Sequence, residues 1–314
     1  MKKILVTGGA GYVGAVLVPR LVKEGYAVTV LDLMIYGEDV LSDHQNLKVV
    51  KGDIRDQNLI KELLLDHETV IHLACISNDP SFELNPGLGK SINLDAFRPL
   101  VEISKKSAVE RFIYASSSSV YGIKDEPDVH EEMPLEPLTD YSRYKADCEK
   151  ILVEYQSDNF TTVTIRPATV CGYSPRQRLD LVVNILTNLA YHKREISVFG
   201  GDQLRPNIHI SDMVGAYLVL LNAPKDKIAG KIFNAGYENQ SVRELAETVK
   251  LVVGEDVQLI STPSDDNRSY HISSLKIKEE LGFQATHTIR KAVQDLCSAF
   301  DKNLLPNSLD DEMY

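Results

Sequence analysis

The stretch Tyr141-Ser142-Arg143-Tyr144-Lys145 places a phenol four residues ahead of an ammonium. On a helix these two side chains share a face, one turn apart. Free tyrosine titrates near about 10, so roughly one phenol in a thousand is ionised at neutral pH. A neighbouring positive charge favours the phenolate and lowers that value. The pair is therefore a way to make a general base from tyrosine. An amphipathic helix that merely carries a Tyr and a Lys would present the same residues. The chemistry follows only if the rest of the chain supplies a partner for the base.

A second constellation supplies one. Ile4-Leu5-Val6 runs into Thr7-Gly8-Gly9-Ala10-Gly11-Tyr12-Val13-Gly14, and an amphipathic pattern at Val13, Val16, Leu17 and Leu21 follows. Strand, glycine turn and helix in this order form a dinucleotide-binding unit. Gly8 allows the tight turn, Gly11 lets a pyrophosphate approach the backbone, and Gly14 permits close helix packing. The helix N-terminus then offers N–H groups to the phosphates. The next strand, Ala27 to Leu31, ends in Asp32. A carboxylate there accepts from both adenosine ribose hydroxyls and repels a 2′-phosphate, which selects NAD over NADP.

These residues need elements to hold them. Leu47–Val50, Thr69–Leu73, Arg111–Ala115 and Thr162–Arg166 read as further strands, with helices between them. Asp53 admits two roles, an adenine contact or a cap for the helix starting near Asp56. His72 lies inside an apolar strand and reads as structural. Ser91 to Ser107 reads as one helix with a local irregularity at Pro99. Asp140 is a suitable N-cap for the helix of Tyr141 and Lys145. The alternation predicts an α/β fold, a Rossmann-type doubly wound parallel sheet, over residues 1–170. A smaller α/β substrate-binding part is expected over 171–314, interleaved with the sheet. There Ser174 to Asp180 opens a helix, and Ile196–Phe199 and Asn207–Ile210 are strands. Helices follow at Asp212–Leu221, Ser241–Val253, Ser273–Leu281 and Thr288–Asp301, and residues 303–314 read as a loosely held tail.

Composition narrows the function. The formal net charge of −11 argues against nonspecific binding to nucleic acid or anionic membranes. No apolar run reaches transmembrane length. Four scattered cysteines without a C-x-x-C point to a reducing cytoplasm, and the eight histidines include no H-x-x-x-H pair, so no metal site is expected.

The motifs together resemble the extended short-chain dehydrogenase/reductases, the NAD-dependent epimerase/dehydratase family. They are TGGAGYVG at 7–14, Asp32, GDI at 52–54, HLAC at 72–75, SSSSVYG at 116–122, YSRYK at 141–145, RPATVCG at 166–172 and RPNIHISD at 205–212. They keep family order and spacing over nearly the whole chain. The resemblance implies Tyr141 as the base and Lys145 as the residue that lowers its pKa and holds the nicotinamide ribose. It makes Ser117, four positions before Tyr121, the group that hydrogen-bonds the reacting sugar hydroxyl. Thr7, Gly8, Gly11, Tyr12, Val13, Gly14, Asp32, Asp53, Ile54, Leu73, Ala74, Asn93, Ser116 and Pro167 fall on the NAD positions, with Tyr141 and Lys145. Phe199, Arg205 and Arg268 resemble contacts to a nucleotide sugar. Arg176 and Arg178 either join them or are surface charges. A homodimer is implied, with helices from near Ser91 and Asp140 forming a four-helix bundle. Leu100, Ile103, Ile151 and Leu152 would equally pack on their own sheet.

Two departures bear on the reaction. Family members that dehydrate carry an Asp-Glu pair after the Ser/Thr, and here those positions are Ser118 and Ser119. A hydroxyl is a poor acid or base at neutral pH. The Ser-Pro-Arg-Gln-Arg-Leu-Asp-Leu stretch at 174–181 is similar to enzymes acting at C4 of nucleotide-activated heptoses. The expected function is an NAD-dependent nucleotide-sugar 4-epimerase. The alternatives are a net C4 dehydrogenase or ketoreductase of a nucleotide-activated hexose or heptose, and a non-catalytic NAD-binding regulatory protein.

Overall fold

The computed structural model describes residues 2–77, 82–126, 128–263, 269–311 and 313–314. Two compact units divide the chain. The first comprises Met1–Val120, Leu135–Arg166 and Tyr217–Phe233, and the second Tyr121–Pro134, Pro167–Ala216 and Asn234–Tyr314.

The first unit is built on short strands, most of them buried on both faces, with Leu47–Lys51 at the sheet edge left open to solvent. β1 (Lys3–Thr7), β2 (Ala27–Asp32), β3 (Leu47–Lys51), β4 (Thr69–His72), β5 (Arg111–Ala115), β6 (Thr161–Pro167) and β10 (Lys231–Ala235) form a sheet in the order β10-β6-β5-β4-β1-β2-β3. The described pairings in it are parallel, and strands such as β1, β4 and β6 are almost wholly buried, as a sheet covered by crossover helices requires. The strand order reverses at β1. The chain proceeds from β1 to β2 and β3 on one side, then to β4 on the other. Thr7 stands in register with Leu31 and His72, so Gly8, Asp32 and Leu73 leave the sheet side by side at its carboxyl edge. Ligands of open α/β sheets bind at such a reversal.

The helices of this unit show where local signals held. α1 (Gly14–Lys23) follows the glycine turn, and α2 (Gln57–Leu63) is capped by Asp56, whose carboxylate accepts from the amides of Asn58 and Leu59. A short helix not expected from the sequence, α3 (Pro86–Lys90), precedes the region expected as one helix, Ser91 to Ser107, which is a π-turn at Ser91–Asp95 followed by α4 (Phe97–Lys106). The irregularity therefore precedes Pro99. Pro99 cannot donate to Asp95, and its ring crowds that carbonyl, so the ladder loosens one turn upstream, where Ala96 N–H reaches Ser91 O. α5 (Asp140–Glu154) starts one residue earlier than Asp140 as N-cap would allow. Thr139 caps it in a box with Ser142. A hydroxyl at Thr139 reaches the Ser142 amide, while Asp140 pairs with Arg143 one turn on. Leu100, Ile103 and Leu152 are buried in this unit's own core, with Ile151 packed against it.

The second unit contains β7 (Thr169–Cys171), β8 (Glu195–Phe199), β9 (Leu204–His209), β11 (Glu238–Ser241) and β12 (Gln258–Thr262), in sheets ordered β11-β9-β7 and β12-β8. α6 (Val182–Lys193), α9 (Val242–Val253) and α11 (Ile289–Asp301) enclose its core, and α10 (Leu275–Leu281) lies between them in sequence. α7 (Ile210–Asn222) begins in this unit and ends in the first, to which α8 (Lys225–Ile228) belongs. Residues 174–180 are not helical, against expectation. Pro175 disfavours helix at Ser174. Asn184 accepts from Gly172 N–H and donates to Arg178 O, and Gln177 accepts from Ser174 N–H, so side chains fix this loop. The tail is also not loose. Leu305 is buried with Leu296, Ala299 and Phe300, and the Ser308 hydroxyl and carbonyl both bond Asn188. Among the described residues no helix is long and apolar enough to cross a membrane.

Candidate active site

α5 brings Tyr141 and Lys145 together because its capping box begins the helix just ahead of them. Tyr141 is half-buried, and the Lys145 ammonium lies 5.8 Å from the centre of its ring. Lys145 is 5% exposed, donates to the Ala115 carbonyl at 2.7 Å, and stands 5.2 Å from the Tyr114 ring centre. Burial by itself would lower its pKa. Cys75, Tyr141 and Cys148 outweigh that effect, and the ammonium is held above its ordinary value. It is therefore charged at neutral pH. The imidazole of His72 is pushed down to about 3 by burial and by Lys145. It is neutral, bonds Thr7 Oγ1 at 2.7 Å and packs on Phe97 and Tyr114, so it is structural.

Ala115 ends β5, and Ser116 to Ser119 follow it. Ser117 is half-buried; its Oγ lies 2.8 Å from Ser119 Oγ and accepts the Ser119 amide. Ser116 is buried and gives its hydroxyl to Glu149. Ser118 is 1% exposed. Positions 118 and 119 thus carry hydroxyls, one of them bonded directly to Ser117.

At the carboxyl edge of β1, the residues fit a dinucleotide. Gly8 has φ +73°, and a Cβ there would lie 2.5 Å from the Ala74 nitrogen. A Cβ on Gly14 would lie 2.5 Å from Gly9 O, so α1 can approach the turn only without one. Tyr12 and Gly14 are buried and Val13 half-buried at the opening of α1. That helix has no side-chain cap and no acidic residue in its first turn. Ala15 N–H is given to Gly11 O, and those of Val16 and Leu17 to Val13 O, so it is the turn ahead of Ala15, at the positive end of the helix dipole, that suits a diphosphate. Asp32 accepts from Ala10 N–H at 3.0 Å and Met34 N–H at 2.9 Å, one with each oxygen, which fixes its carboxylate with lone pairs remaining for hydroxyl donors.

Asp53 pairs bidentately with Arg55, which lowers its pKa, and Arg55 also reaches Ser91. It is Asp56, not Asp53, that caps α2. Ile54 is buried, Leu73 and Ala74 are half-buried, and Pro167 is half-buried at the end of β6. Asn93 sits in the π-turn. Its amide accepts from Ile76 N–H at 2.8 Å and donates to Ile76 O at 2.9 Å, which holds the segment after Ala74.

The residues matched to a nucleotide sugar lie in the second unit. Arg176 is buried and donates to Gln177 O, so it is not a surface charge. Arg178 pairs with Asp180. Arg205 is half-buried on β9 and donates to Leu204 O, and Phe199 is exposed at the end of β8. Arg268 lies outside the described residues. Sequence reasoning passed over Glu149 and Arg166. One available signal was the position of Glu149, four residues after Lys145 on the same helix face.

A parallel sheet with a glycine turn at its reversal, and a Tyr and a Lys one helical turn apart, defines a Rossmann-type nicotinamide-dependent enzyme. The chain matches the NAD dependent epimerase/dehydratase family over residues 4–236. It is 28% identical over 306 residues to a UDP-glucose 4-epimerase of Lactobacillus helveticus, spanning 91% of this chain and 92% of that one. With a dTDP-D-glucose 4,6-dehydratase of Bos taurus it shares 31% over 270 residues, 80% of this chain and 73% of that one. A solved UDP-glucose 4-epimerase with UDP-glucose, from Thermotoga maritima, superposes with a TM-score of 0.86 at 25% identity, over 96% of this chain and 99% of that one. The protein belongs to the NAD-dependent epimerase/dehydratase family, and its cofactor is NAD.

Proposed function

We propose that the protein is a nucleotide-sugar 4-epimerase. The observation that carries this reading is the pair of hydroxyls at Ser118 and Ser119, beside the complete set of Ser117, Tyr141 and Lys145. Water elimination from the sugar needs a group that gains or loses a proton near neutral pH, and neither serine does so. Oxidation and reduction at C4 need only the other three.

Bound NAD supplies a hydride acceptor that serves as the donor for the return step. Tyr141, as phenolate, takes the proton of the C4 hydroxyl, and Ser117 orients that hydroxyl. Lys145 favours the phenolate. Each unit by which the phenol's pKa is lowered takes about 1.4 kcal/mol of differential stabilisation, and the buried Lys145 ammonium beside the ring acts in that direction. Tyr141 then returns the proton to the epimerised sugar. Thr7, Gly8, Gly11, Tyr12, Val13 and Gly14 hold the diphosphate in this reading, and Asp32 the adenosine ribose. Arg176, Arg178, Phe199, Arg205 and Arg268 contribute to the nucleotide sugar, since arginine binds phosphate oxygens bidentately.

A second reading, net oxidation or reduction at C4 of a nucleotide-activated hexose or heptose, is favoured by the loop at 174–181, where Gln177 and Asn184 hold Arg176 and Arg178 in a non-helical path. A homodimer formed through the helices from near Ser91 and Asp140, here the π-turn with α4, and α5, in a reducing cytoplasm, belongs to either reading. Incubation with a panel of nucleotide sugars decides between them. An epimerase yields a product of unchanged mass with C4 inverted and no lasting NADH absorbance. Accumulating NADH or a keto product supports the second reading. Tyr141→Phe abolishes conversion in both, and unchanged turnover would refute the assignment of the base.

A further inference from the structure

Glu149 and Arg166 form a bidentate ion pair with both side chains buried, 4% and 2% exposed. Two charges removed from water are often no more stable than an apolar pair of similar volume. Their location suggests another use. Glu149 lies one turn beyond Lys145 on α5, and Arg166 directly follows Ile165 on β6. Glu149 Oε1 accepts from the Ser116 hydroxyl as well as from Arg166. The peptide linking Ala115 to Ser116 is held on both sides. Its carbonyl accepts from Lys145 at 2.7 Å, and its N–H donates to Ile165 O at 2.8 Å. The links therefore close a circuit from Lys145 through Ala115–Ser116 and Ile165–Arg166 to Glu149, and back along one helical turn to Lys145. Ser117 is the next residue along.

We propose that Glu149, with Arg166 and Ser116, is the positioning element of the active site. It sets the depth of Lys145 beside Tyr141 and the direction of Ser117 by locking one turn of α5 to the ends of β5 and β6. The proposal rests on the reading of Tyr141 and Lys145 as base and activating cation. Glu149 touches no reacting atom in it. With the circuit open, α5 can rotate or slide against the Ala115–Ser116 peptide. Lys145 then moves relative to the phenol, and Ser117 relative to the sugar hydroxyl.

Two variants test this. Ser116→Ala removes only the hydroxyl link to Glu149. Glu149→Leu combined with Arg166→Met removes both charges together and leaves no buried charge unpaired. A cavity of about 210 Å³ beside the pair, lined by Leu135, Ala146, Leu152, Thr162 and Thr164, gives the new side chains room. Each protein, carrying NAD, is titrated through its near-ultraviolet tyrosinate absorbance against the same protein with Tyr141→Phe, so that the difference isolates Tyr141. Reduction of bound NAD by the reactive nucleotide sugar is followed in single turnover.

In both variants Tyr141 is expected to ionise about one pH unit higher than in the wild type. NAD reduction slows about 10- to 100-fold at neutral pH, is partly restored at higher pH, and half-saturates at the same sugar concentration. A Tyr141 titration unchanged in both variants overturns the proposal, because an element that only stabilised the fold would leave it unmoved. If the double variant does not fold, Ser116→Ala decides alone by the same titration. A wild-type Tyr141 that ionises at the ordinary phenol value overturns the base reading itself. That outcome is distinct from a lowered wild-type value matched by the variants.

Discussion

Asn93 presents a choice between two roles that one substitution resolves. Family resemblance makes it a cofactor contact, yet its side-chain amide is engaged on both ends with the Ile76 backbone, at 2.8 and 2.9 Å. Asn93→Ala leaves the Ile76 N–H and C=O without these partners in a half-buried segment. Each orphaned group costs about 1–3 kcal/mol when fully buried, so half-burial brings the pair to roughly 1–3 kcal/mol, centred on about 2 kcal/mol. The better helix propensity of alanine returns less than about 0.7 kcal/mol of that. Urea unfolding of the protein without added NAD should show this loss. Affinity for NAD should fall with it, by up to about 30-fold if all 2 kcal/mol must be recovered when the segment after Ala74 closes. Asn93→Asp should be at least as damaging, because a carboxylate then faces the Ile76 carbonyl. Unfolding free energy within about 0.5 kcal/mol of wild type, together with a large loss of NAD affinity, would refute the reasoning and make Asn93 a direct ligand.

Gly8→Ala forces a side chain into a residue at φ +73° and against the Ala74 nitrogen. NAD affinity measured by calorimetry should fall at least about 100-fold or the fold should lose roughly 2–4 kcal/mol, and wild-type values in both would contradict the close approach. Stability should also decline below neutral pH through His72. Its folded value is pushed down to about 3 and its unfolded value is near 6.5, so the unfolded chain takes up a proton that the folded one refuses. The contribution is complete above the unfolded value and is lost as pH falls, by roughly 1.4 kcal/mol per unit, until the folded value is reached. Urea midpoints for wild type and His72→Asn should converge on acidification, and parallel pH profiles would count against this assignment.

β1 to β6 of the parallel sheet were legible because each is a short, largely apolar run between turn or helix signals, whereas β10 (Lys231–Ala235) was not legible as a strand. The glycine turn was legible because its residues have no other common cause. α2 and α9 announced their starts through Asp56 and Ser241, whose side chains accept from amides of the first turn. Legibility failed where particular side-chain partners decide the path. The stretch 174–180 reads as the opening of the apolar helix behind it, and here the deciding partners are local side chains, Gln177 and Asn184, whose backbone bonds no periodicity reveals. The polar tail looked free, and Asn188, 120 residues before Ser308, anchors it. β7, β11 and β12 lack a clear alternation and form only because a neighbouring strand offers its edge.

Sequence alone determined that Tyr141 and Lys145 share a helix face, since that follows from the 3.6-residue period, and that a glycine turn follows the first strand. It also determined that Ser118 and Ser119 are hydroxyls. Tertiary structure decided what those residues touch. Only the folded chain brings Ala115 to the Lys145 ammonium, Ser116 and Arg166 to Glu149, and Ile76 to Asn93. Spacing along one helix is local geometry. A hydrogen bond between a helix and the ends of two strands depends on their packing, which no single stretch of the chain encodes.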